Sequence, residues 1–197
     1  MRMNWRLAVV AAVLAGAGCT ARTPPQVTDA ERALFPRAAD IAGAFDLRIT
    51  EPVSNETFTI ERSWDGSLDI DYEYDGSDAA APDDALYVQG SVSLQPSLRD
   101  ARMVQGAMRL GLGIGNRLND LKTRAVPGFS FGEASELGVI VSDGADVGNF
   151  MIVRDGRRVY TLILSGVCVT NAADWTGFVR PWLDRFAAYR VPAVRTM

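Results

Sequence analysis

The chain contains no histidine, two cysteines and one lysine among 197 residues. The missing histidine excludes Ser-His-Asp and Cys-His catalysis and every histidine-containing metal site. Basic clusters are missing too, so a nucleic-acid partner has no electrostatic footprint to bind. The lone lysine, Lys122, stands among polar residues near the end of a helical pattern and reads as a solvated surface group rather than a Ser-Lys base. Long apolar runs are absent: the best, residues 7–14, falls short of the roughly 20 residues that span a bilayer. What is present is ordinary for a globular protein, with 48% hydrophobic and 22% charged residues, and the length suits one domain with a sizeable core.

The amino terminus, MRMNWRLAVVAAVLAGAGCTA, has the layout of an export signal. Arg2 and Arg6 supply the positive region, residues 7–14 the apolar region and residues 15–18 the small-residue cleavage region. Losing Arg2 and Arg6 with that segment takes the formal charge from −4 to −6. Gly16-Ala17-Gly18-Cys19 resembles the lipobox of bacterial lipoproteins, with Gly16 where that family usually has Leu. The resemblance implies a signal over 1–18, cleavage before Cys19, acylation of Cys19 and, with Thr20 following, an outer-membrane location on the periplasmic side. An ordinary signal peptidase cutting after Ala17 is the alternative, and it would leave a soluble periplasmic or secreted protein. Residues 19–28 then read as an extended tether, Pro24-Pro25 favouring polyproline II, with one domain over 29–191 and a tail over 192–197. If Cys19 is acylated, Cys168 is left alone in an apolar run as a buried, inert thiol; if not, a Cys19–Cys168 disulfide becomes available.

The domain reads as α+β. Thr28 with Glu31 forms a capping box that opens a helix to Phe35, and Pro36 separates it from further helical turns ending at Phe45. Period-two alternation over 57–75 predicts a hairpin turning at Asp65-Gly66-Ser67, and a three-residue loop pairs Ile60 with Tyr72 and Phe58 with Tyr74. A third strand follows over 86–94, with Gly90 as a gap in the apolar row Leu86, Val88, Val92 and Leu94. The spacing next predicts a helix over 97–121 that lays Ala101, Val104, Met108, Gly111, Gly115 and Leu118 on the sheet. Strands over 136–142, 147–154 and 157–165 come next, the last two joined at Asp155-Gly156 and apolar on both faces. Asn171 caps a final helix carrying Trp175, Phe178, Trp182 and Phe186, with Pro181 inside it. The order α-βββ-α-βββ-α implies an antiparallel sheet of about six strands with helices packed on it.

Among candidate sites, DGSLDIDYEYDGSD (65–78) is the densest in charge. Asp71-x-Glu73-x-Asp75-Gly76 matches the first six positions of an EF-hand loop in charge type, but Asp78 and Pro82 break the later positions. A different calcium site would draw Asp71, Glu73, Asp75, Asp78, Asp83 and Asp84 together and would serve a surface or adhesion module. Asp69 and Asp71, about 7 Å apart as same-face neighbours, could instead serve a carboxylate-based hydrolase, provided burial raised one of their pKa values. The plainer reading is a solvated strand face that discourages edge pairing. Gly111-Leu112-Gly113-Ile114-Gly115 falls late in a helical pattern and lacks the strand–loop–helix setting of a phosphate loop; it reads as close helix packing or a helix end. Trp64, Tyr72, Tyr74, Trp175, Phe178, Trp182 and Phe186 read mostly as core, some lining an apolar pocket between sheet and helix. No catalytic residue or cofactor is assigned. The expected partners are the lipid bilayer, through Cys19, and an unidentified protein, envelope component or small ligand.

Residues 131–135 (FGEAS), 148–162 (GNFMIVRDGRRVYTL) and the closing helix around Trp182-Leu183-Asp184-Arg185-Phe186 carry a resemblance to the PsbP-like α/β/α sandwich shared by many bacterial lipoproteins. It covers about half the chain, from Leu86 to Phe186. It implies a fold and an accessory or ligand-binding role, with no catalytic residue to carry over.

Overall fold

A computed structural model describes residues 26–47, 55–76 and 86–190. Its elements are α1 (Asp29–Arg32), α2 (Ala38–Phe45), β1 (Glu56–Arg62), β2 (Leu68–Asp75), β3 (Tyr87–Leu94), α3 (Leu98–Leu118), β4 (Lys122–Ala125), β5 (Ala134–Ser142), β6 (Ala145–Asp155), β7 (Arg158–Ser165) and α4 (Ala172–Ala188). The strands form one antiparallel sheet in the order β1-β2-β3-β7-β6-β5-β4. The α+β class and the antiparallel sheet match expectation, but there are seven strands rather than six. The unforeseen strand is β4, four exposed residues too short to show a period, paired to the edge at β5. Lys122 is its first residue and is exposed.

Alternation sorts each strand's side chains to two faces. Leu68, Ile70, Tyr72 and Tyr74 of β2, Val88 and Val92 of β3, Tyr160, Leu162 and Leu164 of β7, and Met151 and Val153 of β6 form the larger core with Leu34, Phe35, Ile41, Trp175, Val179, Leu183 and Phe186. On the opposite face Ile140, Phe150, Ile152 and Val159 pack with Ala101, Val104, Met108 and Leu112 of α3. The central strands β6 and β7 are thus apolar on both sides, as the continuous run 150–164 requires. Gly90 has a specific purpose: a Cβ there would lie 2.5 Å from Phe35 Cδ1, so the gap in the β3 row receives that ring. Phe35 in turn stacks on Tyr160 at 5.8 Å between centroids.

Three local expectations need correction. The β1–β2 register pairs Phe58 with Tyr72 and Ile60 with Ile70, so five residues (63–67) connect the strands instead of three. A shift of two residues leaves every side chain on the same face, so face patterning alone cannot detect it. The α3 stripe is also rotated in part: Ala101, Val104 and Met108 pack on the sheet as expected, but Leu118 does not. Its buried residues are Ala101, Gln105 and Asn116, while Leu118 is 79% exposed. The glycines do not end the helix, which runs through them to Leu118. A Cβ at Gly106, Gly111 or Gly113 would meet nothing within 4 Å. Gly113→Ala is therefore expected to stabilise by about 0.5–1 kcal/mol, through restricted unfolded-state freedom. Differential scanning calorimetry should show a melting temperature about 2–4 °C higher.

Both ends of the domain are locked by polar contacts. Thr28 Oγ1 accepts from the Glu31 backbone N at 3.3 Å and Glu31 Oε2 accepts from Thr28 N at 2.8 Å, completing the predicted capping box. Asn171 caps α4 by accepting from Ala173 N at 2.7 Å, and α4 continues through Pro181. Arg158 donates to the carbonyls of Phe186 (3.2 Å) and Ala187 (2.6 Å), closing the carboxyl end of α4, and also pairs with Asp155.

Candidate functional site

The face of the sheet that carries α3 is unevenly covered. α3 packs chiefly on β6 and β7. Beyond it, β1, β2 and β3 turn a polar shelf outward, because their even-register partners are in the other core. The ladder sets Glu61 opposite Asp69, Thr59 opposite Asp71 and Thr57 opposite Glu73. Across β2, Asp69 faces Ser93, Asp71 faces Ser91, Glu73 faces Gln89 and Asp75 faces Tyr87. Five carboxylates thereby share one shelf. The four on β2 each have a neutral hydrogen-bonding neighbour on β3, and no cation of the described residues is interleaved among the five.

The shelf is not uniformly wet. Asp69 is half-buried and accepts from Ser93 Oγ at 2.5 Å, while Gln95 Nε2 donates to that same Oγ at 2.6 Å. Burial pushes the Asp69 carboxyl above the usual range, and nearby Asp71, Glu61 and Asp65 push it further, against the lowering effect of the Ser93 bond. The Asp71 carboxyl is raised chiefly by desolvation and then by Glu61, with Ser91 and Thr59 hydrogen bonds opposing. Tyr87 OH donates to Glu73 Oε1 at 3.4 Å. The expectation that this row simply faces water holds for the exposed Asp71, Glu73 and Asp75 and is corrected for Asp69. A raised pKa gives the acid pair one property of a hydrolase, but the shelf lacks the walls that would exclude water from a substrate.

A raised carboxylate pKa has a definite sign in stability. The folded state holds its proton to higher pH than the unfolded chain, so stability falls as pH rises from the unfolded pKa near 3.8 through the folded one. Asp71→Asn should consequently raise the melting temperature slightly at pH 7 and lose that advantage below pH 3.8. Thermal unfolding at the two pH values checks it.

For calcium, Asp71, Glu73 and Asp75 lie in a row along one strand face, and no three carboxylates cluster closely enough to hold a metal ion among the described residues. Asp78, Asp83 and Asp84 lie outside the described residues, as does Cys19. Cys168 is half-buried rather than buried, and its thiol pKa is raised by burial and then by Asp146, which disfavours the nucleophilic thiolate.

The aromatic set divides. Tyr72, Tyr74, Trp175 and Phe186 are buried in the larger core, and Phe178 and Trp182 flank it. Trp64 is a correction: it lies in the β1–β2 connection and is fully exposed. A shallow cleft of about 280 Å³ lies outside the helices, where Asp29, Arg32, Arg37, Asp40 and Arg185 meet Phe35 and Trp182.

Sequence reasoning missed three polar centres. Glu31, 0% exposed, pairs with Arg62 and accepts from Tyr189 OH at 2.9 Å. Asn149, also fully buried, accepts from Val169 N at 2.7 Å and donates to Val169 O at 2.8 Å. For Glu31 the capping box was the available signal; Asn149 inside an apolar strand was visible as an anomaly. A third centre joins Arg37 and Glu56, whose Oε1 also accepts from Tyr72 OH at 3.1 Å. Burial pushes the Tyr72 hydroxyl pKa up to about 12. These centres fasten elements together, and of their residues Arg37 also lines the cleft.

No family model matches the chain, and no curated protein or solved structure does.

Proposed function

We propose that the protein is an envelope lipoprotein, anchored by acylated Cys19 to the periplasmic side of a bacterial outer membrane, whose α+β domain is a binding module without catalysis. The observation that carries this reading is the amino-terminal segment: two arginines, an eight-residue apolar stretch and Gly16-Ala17-Gly18-Cys19. Several acyl chains on one cysteine give a stable anchor, since each buried methylene contributes about 0.8 kcal/mol. The PsbP-like sandwich is the finer fold assignment we favour, supported by helices on both faces of the antiparallel sheet. The open shelf of β1–β3 is the surface we assign to a partner, either a protein or an envelope component presenting cationic or hydrogen-bond-donating groups.

Mass analysis of the amino-terminal peptide from full-length protein expressed with its signal tests the anchor. A mature chain beginning at acylated Cys19, and loss of acylation together with signal retention in Cys19→Ala, are the expected results. A mature chain beginning at an unmodified Gly18 or Cys19 overturns the reading in favour of the soluble form.

A further inference from the structure

α3 packs Ala101, Val104, Met108 and Leu112 on the sheet and carries a second apolar stripe that nothing covers among the described residues. Towards the sheet it buries Gln105 and Asn116, and Gln105 Nε2 and Asn116 Oδ1 have no hydrogen-bond partner among the described residues. Towards solvent it presents Met103, Leu110, Ile114 and Leu118, between 49% and 79% exposed. At about 100° per residue these positions, with Ala107, fall in one stripe opposite the buried face. Arg99 and Arg117 border one edge of the stripe, Arg102 and Arg109 lie further round the same side, and all four are exposed. Against them α3 has a single acid, Asp100, so a basic helix is displayed by an acidic chain. Arg109 pairs with Glu136; Arg99, Arg102 and Arg117 have no ion-pair partner among the described residues.

The geometry points to α3 as an interfacial helix that lays this stripe on an anionic phospholipid surface, its arginines meeting the phosphates. An exposed apolar stripe bordered by arginines is the pattern that such a surface selects. Trp64 extends it. The register places the β1–β2 connection at the sheet end where β3 leads into α3, and Gln95 N bonds Arg157 O there at 2.9 Å. A fully exposed tryptophan at that end suits the headgroup level, where indole rings concentrate.

The position of the chain's entry to the fold is compatible with this docking, which rests on the proposed anchor for its proximity to lipid. Glu31 is tied to Arg62, two residues before Trp64, so the domain begins at the same end. Cys19 lies nine residues before Thr28, a stretch that reaches at most about 30 Å. Passing from the α1 face to the outside of α3 takes two layer spacings and half a helix diameter, about 25 Å. The acidic shelf lies roughly one helix diameter behind the stripe, about a Debye length at physiological salt, so its repulsion is largely screened.

A reporter on α3 tests the docking. Full-length, processed protein carrying Cys168→Ser and Met103→Cys, labelled with an environment-sensitive maleimide, is reconstituted into vesicles with and without phosphatidylglycerol. A blue shift is expected with the anionic lipid, weakened by salt, and absent from the same label at Asp184→Cys on α4. Adding Leu110→Glu and Ile114→Glu should reduce the lipid-dependent shift at residue 103 at least about tenfold. No shift, or equal shifts at 103 and 184, overturns the docking. A shift that appears without vesicles and grows with protein concentration overturns it in favour of a second copy. Failure of the anchor reads out separately, as a second label on the amino-terminal peptide at an unacylated Cys19.

Discussion

Glu31→Gln is expected to lower the unfolding free energy at pH 7 by about 3 kcal/mol, the lower part of the range for breaking a buried pair. Glu31 is fully buried, and its two oxygens collect the Thr28 backbone N–H, the Thr28 and Tyr189 hydroxyls and the Arg62 guanidinium. Arg62 is 25% exposed, so water softens its loss of a partner and keeps the effect below the extreme. Glutamine has nearly the same shape, but it removes the charge and presents an amide to a site built from donors. The same residue fixes where the chain enters the fold, holding α1 to the last residue of β1 and to Tyr189 beyond α4. Its loss should therefore loosen both ends of the domain together.

The pH dependence discriminates this mechanism from simple misfit. Burial by itself would raise the Glu31 pKa; the hydrogen bonds from Thr28 and Tyr189 and the Arg62 charge outweigh it and hold the carboxyl below its ordinary 4.5. A depressed folded pKa contributes stability that is fully present above the unfolded value and is lost as pH falls through the folded one. Urea unfolding of the wild type and Glu31→Gln should give curves that separate at pH 7 and approach each other below pH 4.5. A gap of the same size at every pH would assign the effect to packing. Asp69 and Asp71 behave oppositely, gaining stability as pH falls, so the acid limb of the wild type is a contest between two carboxylate environments.

What could be read from the sequence follows from which physical signals are local. The capping box at Thr28–Glu31, the Asn171 cap and the faces of β2 are set by spacing within a few residues, and all are found. Register is different, since a two-residue slip preserves the pattern while moving Phe58 from Tyr74 to Tyr72. The rotation of α3 was hidden because both of its sides are partly apolar. Sequence alone placed Ala101, Val104 and Met108 correctly, but it ranked Leu118 with the buried stripe and missed Gln105, Leu112 and Asn116. Trp64 fitted the alternation of β1, yet the strand stops at Arg62 and the indole falls in the connection. For the candidate site, the shelf's carboxylates were visible as a strand face, but the serine and threonine neighbours that tune Asp69 and Asp71 come from β3 and β1. Only the pairing order of the sheet brings them there.

Asn149→Leu is the other large effect, expected to cost about 2–5 kcal/mol, because two buried backbone groups lose their partners at about 1–3 kcal/mol each. β6 uses its backbone to pair with β5 and β7, so the segment after β7 has no strand of its own to join. The Asn149 amide fills that role: its oxygen takes the Val169 N–H and its nitrogen serves the Val169 and Gly138 carbonyls, the latter at 3.3 Å. Residue 169 is thereby held two positions before Asn171, the cap of α4. α4 places Trp175, Val179, Leu183 and Phe186 in the larger core. Leucine keeps the branched shape but leaves the Val169 N–H and C=O without the Asn149 amide in an apolar site, so the segment must either stay unsatisfied or move out to water. Moving out would shift the cap and loosen the first turns of α4. The expected result is a melting temperature roughly 10 °C lower, with faster amide exchange at Val169 and in the first turn of α4 while β6 and β7 stay protected. A loss below 1 kcal/mol with the Val169 amide still protected would mean that another group, or water, already serves that backbone.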